Sequence, residues 1–241
     1  MCATCGCGND AHEHTHEHPH EHGGEVITLE QKVLAKNDLL AERNRGWLAG
    51  RRISAFNIMS SPGAGKTTLL VRTIEELTST TPVSVIEGDQ ETTLDADRIE
   101  ATGCSVVQIN TGTGCHLDAD MVRRALETLD PPTRSLLFIE NVGNLVCPAL
   151  FDLGEEGKVV LISVTEGDDK PLKYPHMFAA ADAVIVNKID LLPYVDFDME
   201  TFAAHAESIN PHVRILPTSA TAGDGLDDWY GWLTQNQHAV H

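Results

Sequence analysis

The sequence predicts a doubly wound α/β domain on a mainly parallel sheet of about seven strands. Three observations predict it. Seven short apolar runs recur along the chain: ISAFNIMS (53–60), VSVIEG (83–88), SVVQIN (105–110), SLLFIE (135–140), KVVLISV (158–164), DAVIVN (182–187) and VRILPT (213–218). Most are continuous and β-branched without clean alternation, as in strands buried on both faces of a parallel sheet. The segments between them are long enough for the crossover helices that parallel strands require. Ligands of such sheets bind beyond the carboxyl ends of the strands, so the residues closing each run are where chemistry is expected.

Ahead of the first strand the chain divides in two. Residues 1–25 have almost no apolar content and are expected to be disordered. They carry Cys2, Cys5 and Cys7, then His12, His14, His16, His18, His20 and His22 at every second position, a metal-binding composition. Alternation with Glu, Thr and Pro sets these histidines apart from a contiguous affinity tag. Residues 26–50 place Val26, Leu29, Val33 and Leu40 at helical spacing, which predicts one or two amphipathic helices covering the main domain or a partner. Residues 51–241 then form the α/β domain, long enough for a sizeable core.

Composition narrows the function. The chain is 41% hydrophobic and 22% charged, ordinary for a soluble protein. A formal net charge of −19 repels phosphate backbones and argues against DNA or RNA as partners; it also reads simply as solubility or a salt-tolerant host. No stretch approaches the ~18 apolar residues of a membrane span, and no apolar signal-peptide core follows Met1. A cytoplasmic location is expected. There, six cysteines, three of them closely spaced at Cys2, Cys5 and Cys7, point to metal rather than disulfides.

The first strand runs into Ser60-Ser61-Pro62-Gly63-Ala64-Gly65-Lys66-Thr67-Thr68. This is a phosphate loop with Ser60 where the pattern places Gly. Gly63, Ala64 and Gly65 bring backbone N–H groups to phosphates. Lys66 reaches the β/γ-phosphates, Thr67 ligates Mg²⁺, and Thr68 continues the contact at the helix N-terminus. Asp89, closing the second strand, and Glu140, closing the fourth, are placed to hold Mg²⁺ directly or through water. Glu140-Asn141-Val142-Gly143 resembles the Asp-x-x-Gly element of GTPases, with the Gly143 amide facing a γ-phosphate. Lys66, Asp95 and Glu140 are the candidate catalytic residues; Asp95 reads equally as a water-orienting carboxylate or as a helix N-cap.

Asn187-Lys188-Ile189-Asp190 follows the sixth strand and Thr218-Ser219-Ala220 the seventh. The Asp190 carboxylate accepts from guanine N1–H and its 2-amino group, whereas adenine would leave it unpaired. Ser219-Ala220 resembles the guanine-contacting loop of GTPases, in which the Ala220 amide would approach the base oxygen. GTP is therefore preferred over ATP. Three cysteines remain. Cys104 leads into a strand and reads as a small core residue. Cys115-His116 stands at a predicted helix start and Cys147 in the loop after the fourth strand. Adjacent loops bring these three together as a Zn²⁺ or Ni²⁺ site needing a second subunit or water; by spacing alone, unrelated core cysteines fit equally. SVTEGDDKPLKYP, after the fifth strand, reads as a partner contact or as a loop entering a helix.

Taken together, the Cys-x-x-Cys-x-Cys start, the His tract, SSPGAGKTT, EGDQETTLDADRI, GTGCHLDADM, FIENVGNLVCP, SVTEGDDKPLKYPHMF and VNKIDLL resemble the HypB family across essentially the whole chain. Ser60 and Glu140, odd for a generic GTPase, look normal for this family. The resemblance implies a Mg-dependent GTPase that helps insert nickel into [NiFe] hydrogenases. It implies the dimerising P-loop class of the nitrogenase iron protein and signal-recognition GTPases, with a homodimer favoured by GTP. Cys115, His116 and Cys147 would form a metal site at or near the dimer interface, and the tail would collect nickel. The implied partners are a small zinc-containing nickel metallochaperone and the immature hydrogenase large subunit. Urease-type nickel GTPases also deliver nickel, but GCHLDA and ENVGNLVCP favour the hydrogenase type. A nickel storage or detoxification protein is the other alternative, and it would hold GTP without turning it over.

Overall fold

The computed structural model describes residues 22–89 and 93–237. The elements are α1 (His22–Arg51), β1 (Ser54–Ser60), α2 (Lys66–Leu77), β2 (Val83–Asp89), α3 (Leu94–Glu100), β3 (Ser105–Asn110), α4 (Ala119–Leu129), β4 (Leu136–Glu140), β5 (Gly157–Ser163), α5 (Lys170–Lys173), α6 (Pro175–Ala179), β6 (Ala183–Asn187), α7 (Met199–Ile209), β7 (Arg214–Pro217) and α8 (Leu226–Asn236). The seven strands form one sheet in the order β3-β2-β4-β1-β5-β6-β7, every pair parallel. All seven apolar runs became strands. The central strands β1, β4 and β6 are buried at every position. The edge strands β3 and β7 are partly exposed, which is why SVVQIN tolerates Gln108 and Asn110.

Helices cover both faces. On one face Leu69, Leu70 and Ile74 of α2, Ile99 of α3 and Trp229 and Leu233 of α8 pack on Phe56, Val85 and Phe138. The Trp229 indole N–H donates to Thr73 Oγ1 at 2.9 Å, satisfying its one polar atom. On the other face α4 and the end of α1 cover Ile86, Leu137 and Ile139, while α6 and α7 cover Val160, Ile162 and Val184.

The segment before the sheet is a single helix; the side chains of Val26 and Leu29 lie outside the described residues, and its buried stripe is set by residues other than Val33 and Leu40. Val33 is 49% exposed, whereas Asn37, Ala41, Asn44 and Leu48 face inward. Their spacing still follows one helical face. Asn37 donates to Asp152 O at 2.7 Å and accepts from Ala119 N at 2.9 Å. Asn44 Nδ2 donates to Ala119 O and to Leu153 O, each at 2.9 Å. The helix therefore docks through buried amides that satisfy loop backbone, which apolar side chains cannot do. Gly154 allows the close approach. Its φ is +90°, and a Cβ there would lie 2.5 Å from Ala41 O. Gly154→Ala is expected to lower unfolding free energy by about 1–3 kcal/mol through backbone strain and collision with α1, read by denaturant titration.

Candidate functional site

Because every strand runs the same way, all carboxyl ends meet at one rim. The phosphate loop leaves β1 there and enters α2. Gly63 and Gly65 adopt φ of +76° and +105°. A Cβ on Gly65 would sit 2.5 Å from Asn187 Nδ2, so this position requires glycine on both conformational and steric grounds. Lys66 Nζ donates to Ser60 Oγ at 2.9 Å, giving a use to the serine that replaces the usual glycine. The loop is braced from β6: Asn187 Nδ2 donates to Ala64 O at 2.9 Å and Lys188 Nζ to Gly63 O at 2.7 Å. Asn187 Oδ1 also accepts from Ala220 N at 3.0 Å, and Ser219 Oγ donates to Asp190 Oδ1 at 2.6 Å. The Asn-Lys-x-Asp and Ser-Ala elements thus form one strap with the phosphate loop. From the 3-10 turn after β5 (Val164–Glu166), the Glu166 carboxylate accepts from the Ser61 hydroxyl. SVTEGDDKPLKYP runs from the end of β5 through α5 to the start of α6, and its Glu166 touches the phosphate loop.

The acidic residues gather beside α2. Thr67 Oγ1 donates to Glu140 Oε1 at 2.9 Å, while Glu140 Oε2 is buried without a hydrogen-bond partner. Burial pushes the Glu140 carboxyl up to about 7, against the pull of Lys66 and the Thr67 hydrogen bond. An orphaned oxygen beside a threonine hydroxyl fits a hard cation with oxygen ligands. Asp89 closes β2 as expected. Asp95 is not the N-cap of α3; that position is Thr93. Asp95 lies in the first turn, 3.5 Å from Arg98, whose Nη2 reaches Thr68 Oγ1 at 3.2 Å. Gly143 lets the loop after β4 lie on the phosphate loop, since a Cβ there would be 3.1 Å from Pro62.

One acid escaped the sequence reading. Glu87 lies in β2 as the sheet partner of Glu140. It is buried, and burial with the carboxylates of Glu140, Asp89 and Asp95 pushes it up to about 8. The available signal was a charged residue inside a run otherwise buried on both faces.

The sulfur ligands converge. One ligand atom each from Cys115, His116 and Cys147 lies within 4.8 Å of the others. Cys115-His116 occupies the loop from β3 to α4, where Asp118 rather than Cys115 caps the helix by accepting from Met121 N at 2.8 Å. Cys147 opens a 3-10 turn, Cys147–Leu150. Asn144 donates to Cys115 O at 3.2 Å, and the His116 ring stacks on Phe151 at 3.9 Å. A hydrogen bond with Cys147 and burial raise the Cys115 thiol, while burial lowers the His116 imidazole against the pull of Asp118. Cys104 is elsewhere: its thiol donates to Val83 O at 3.2 Å, and burial pushes it up to about 11. It is a core residue. Cys2, Cys5, Cys7, His12, His14, His16, His18 and His20 lie outside the described residues, as does the side chain of His22. No helix among the described residues is long and apolar enough to cross a membrane.

A glycine loop at β1 whose threonine meets the acid closing β4 is the arrangement of a P-loop nucleotide-binding domain. More particularly, residues 54–217 match the family described as CobW/HypB/UreG, nucleotide-binding domain, and the chain belongs to that family. The hydrogenase maturation factor HypB of Escherichia coli K12 is 56% identical over 208 residues, covering 86% of this chain and 72% of the relative. The crystal structure of HypB from Archaeoglobus fulgidus superposes with a TM-score of 0.79 at 40% identity, covering 85% of this chain and all (100%) of that one. HypB from Helicobacter pylori, crystallised in complex with nickel, gives a TM-score of 0.79 at 38% identity, covering 84% and 95%.

Asn187 supplies the strap's buried amide. Asn187→Ala is expected to cost about 1–3 kcal/mol of stability, because it orphans Ala64 O and Ala220 N. It should weaken nucleotide binding as well. Denaturant unfolding and titration with a fluorescent guanine nucleotide check the two effects separately.

Proposed function

We propose that this protein is a GTP-hydrolysing accessory factor that delivers nickel during [NiFe] hydrogenase maturation. The observation that carries the reading is the convergence of Cys115, His116 and Cys147 on loops leaving the rim that also bears the phosphate loop. Relatives named hydrogenase maturation factor, and one crystallised with nickel, support it.

In this reading Gly63, Ala64, Gly65 and Thr68 cradle the phosphates and Lys66 neutralises the β/γ oxygens. Thr67, Asp89 and Glu140 hold Mg²⁺, which when bound offsets charge developing on the leaving oxygens. Asp95 orients the attacking water and the Gly143 amide meets the γ-phosphate. Asn187 and Lys188 fix the base-side loop. Asp190, held by Ser219, reads guanine, with the Ala220 amide at the base oxygen. Nickel is the cargo. Two thiolates and one imidazole leave a tetrahedral set short of a ligand, so a second copy, brought in by GTP, or water completes it. Zn²⁺ suits the same donors. The N-terminal cysteines and histidines hold a nickel reserve. The donor is a small zinc-containing metallochaperone, the acceptor the hydrogenase large-subunit precursor, and the setting the cytoplasm.

The decisive experiment is hydrogenase activity in cells lacking this protein, with and without added nickel. A deficit rescued by high nickel supports delivery. Wild-type activity in those cells, or GTP held without turnover by the purified protein, sinks it in favour of storage.

Two variants test the parts. Asp190→Asn should shift preference from guanine to xanthine nucleotides, because the amide Oδ1 keeps the Ser219 bond while its N–H₂ donates where the carboxylate only accepted. Equal GTP hydrolysis by both proteins would remove Asp190 as the base reader. Cys115→Ser with Cys147→Ser should abolish one thiolate–metal charge-transfer band while leaving nucleotide affinity in metal-free buffer unchanged. In the wild type, any change that GTP makes in metal affinity must be matched by the change metal makes in GTP affinity. Identical metal affinity with GDP and with a non-hydrolysable GTP analogue would end the idea of a nucleotide-gated site.

A further inference from the structure

Glu87 takes no part in the phosphate, base or thiolate groups described above, and its position is costly. It sits opposite Glu140 on the neighbouring strand, and directly paired residues of parallel strands point to the same face. That face is the one covered by α2: Val85 and Phe138, two residues earlier on each strand, pack in the core beneath Leu69, Leu70 and Ile74. The two carboxylates therefore lie side by side next to the first turn of α2, where Thr67 donates to Glu140. Each glutamate is only 2% exposed. Each carries an Oε2 that is fully buried and accepts no hydrogen bond. Gln108 of β3 donates to the Glu87 carboxyl, while its largest charged influences are the carboxylates of Glu140, Asp89 and Asp95.

Buried carboxylate oxygens without partners are rare, because each forfeits its hydration for nothing. Two of them, side by side on one face of adjacent strands, are costlier still. An apolar pair at these positions would give a more stable sheet. A retained pair of this kind points to a cationic ligand. Small divalent cations keep several waters when bound by one or two carboxylates, and those waters need acceptors. Glu87 stands two residues before the end of β2, behind Asp89, which places it on the inner side of a cation held at the strand ends.

We propose that Glu87 is a positioning residue for Mg²⁺, its free carboxylate oxygen accepting hydrogen bonds from metal-bound water behind the ligands Thr67, Asp89 and Glu140. The proposal rests on the Mg²⁺ reading of the nucleotide site. Outer-sphere acceptors of this kind change metal affinity about 10–100-fold when removed.

The test uses the full chain loaded with a fluorescent GDP analogue, whose release is followed while Mg²⁺ is titrated. Glu87→Gln is nearly isosteric and loses one of the two acceptor oxygens. Because the amide N–H₂ replaces one acceptor oxygen by a donor whatever the protonation state of the acid, the variant is expected to raise the Mg²⁺ concentration that half-saturates the slowing of release about tenfold or more, with nucleotide affinity in EDTA unchanged. In Mg²⁺-free buffer its melting temperature should equal or exceed that of the wild type, whereas a purely structural hydrogen-bonding role would lower it. Glu87→Asp, which withdraws the carboxylate by one methylene, should weaken Mg²⁺ as well and stands in if the glutamine variant does not fold. Wild-type Mg²⁺ dependence in the folded variants would overturn the proposal and leave the Mg²⁺ site standing. A wild-type protein whose nucleotide release ignores Mg²⁺ would overturn the site and the proposal together.

Discussion

Placing β4 between β1 and β2 is the constraint on which the rest of the rim depends. The chain leaves β1 through the phosphate loop and returns as β2 one position further out, and the gap is filled only when β4 arrives. Glu140, at the end of β4, thereby becomes a neighbour of the β1 loop and of β2 at once. Its hydrogen bond from Thr67 joins α2 to the sheet, and its pairing with Glu87 joins β4 to β2. No local sequence feature produces this meeting of three segments. It follows from strand order, and it gathers buried carboxyl groups where the helix N-terminus supplies a partial positive charge.

A second set of contacts carries the rim sideways to the sulfur ligands. Asn141, the residue after Glu140, is buried; its Oδ1 accepts from Leu117 N at 3.2 Å and from Val142 N at 3.0 Å. Its Nδ2 donates to Asn57 Oδ1 at 3.2 Å, and Asn57 Nδ2 donates to Glu155 at 3.2 Å. Leu117 is the residue after His116, so a single side chain spans the step from the acidic strand end to the sulfur-ligand loop. On the far side of that loop, Asn37 and Asn44 of α1 bind the Ala119 backbone. The Cys115-His116 loop is consequently fixed by amides from two directions. Partly satisfied networks of this sort are expensive and fully satisfied ones are rigid. Here the bonds join β1, β4, α1 and both ligand loops into one unit.

Legibility divided along physical lines. Strands buried on both faces betray themselves as unbroken β-branched runs, and glycine with positive φ betrays the phosphate loop, so both were readable. The convergence of Cys115, His116 and Cys147 was readable as a possibility because their loops follow β3 and β4, but deciding against scattered core cysteines needed strand order. The docking face of α1 misled, since Asn37 and Asn44, two of the four residues in its buried stripe, are polar. For Asp95 the two readings differed by helix register: α3 starts at Leu94, two residues before the start a cap at Asp95 requires, so the cap falls on Thr93. Glu87 was hidden inside VSVIEG, where periodicity counts a lone acid as noise.

Ser60 shows how a departure from the phosphate-loop pattern is accommodated. Glycine at that position offers Lys66 no side-chain acceptor. Ser60 Oγ accepts from Lys66 at 2.9 Å and itself donates to Ser61 O at 2.6 Å, so the ammonium is held over its own loop by a satisfied hydroxyl. A hydrogen bond to a charged group contributes about 1.5–3 kcal/mol. A phosphate oxygen accepts from the same ammonium and adds the Coulomb attraction of an opposite charge, which the neutral Ser60 hydroxyl lacks. The exchange therefore favours phosphate without requiring Lys66 to be ordered from solvent, and its rotamer entropy, about 2 kcal/mol for a free lysine, is already spent when the protein folds. Pre-ordering by Ser60 thus shifts an entropic cost from binding to folding, where the buried β1 strand beneath it can offset it.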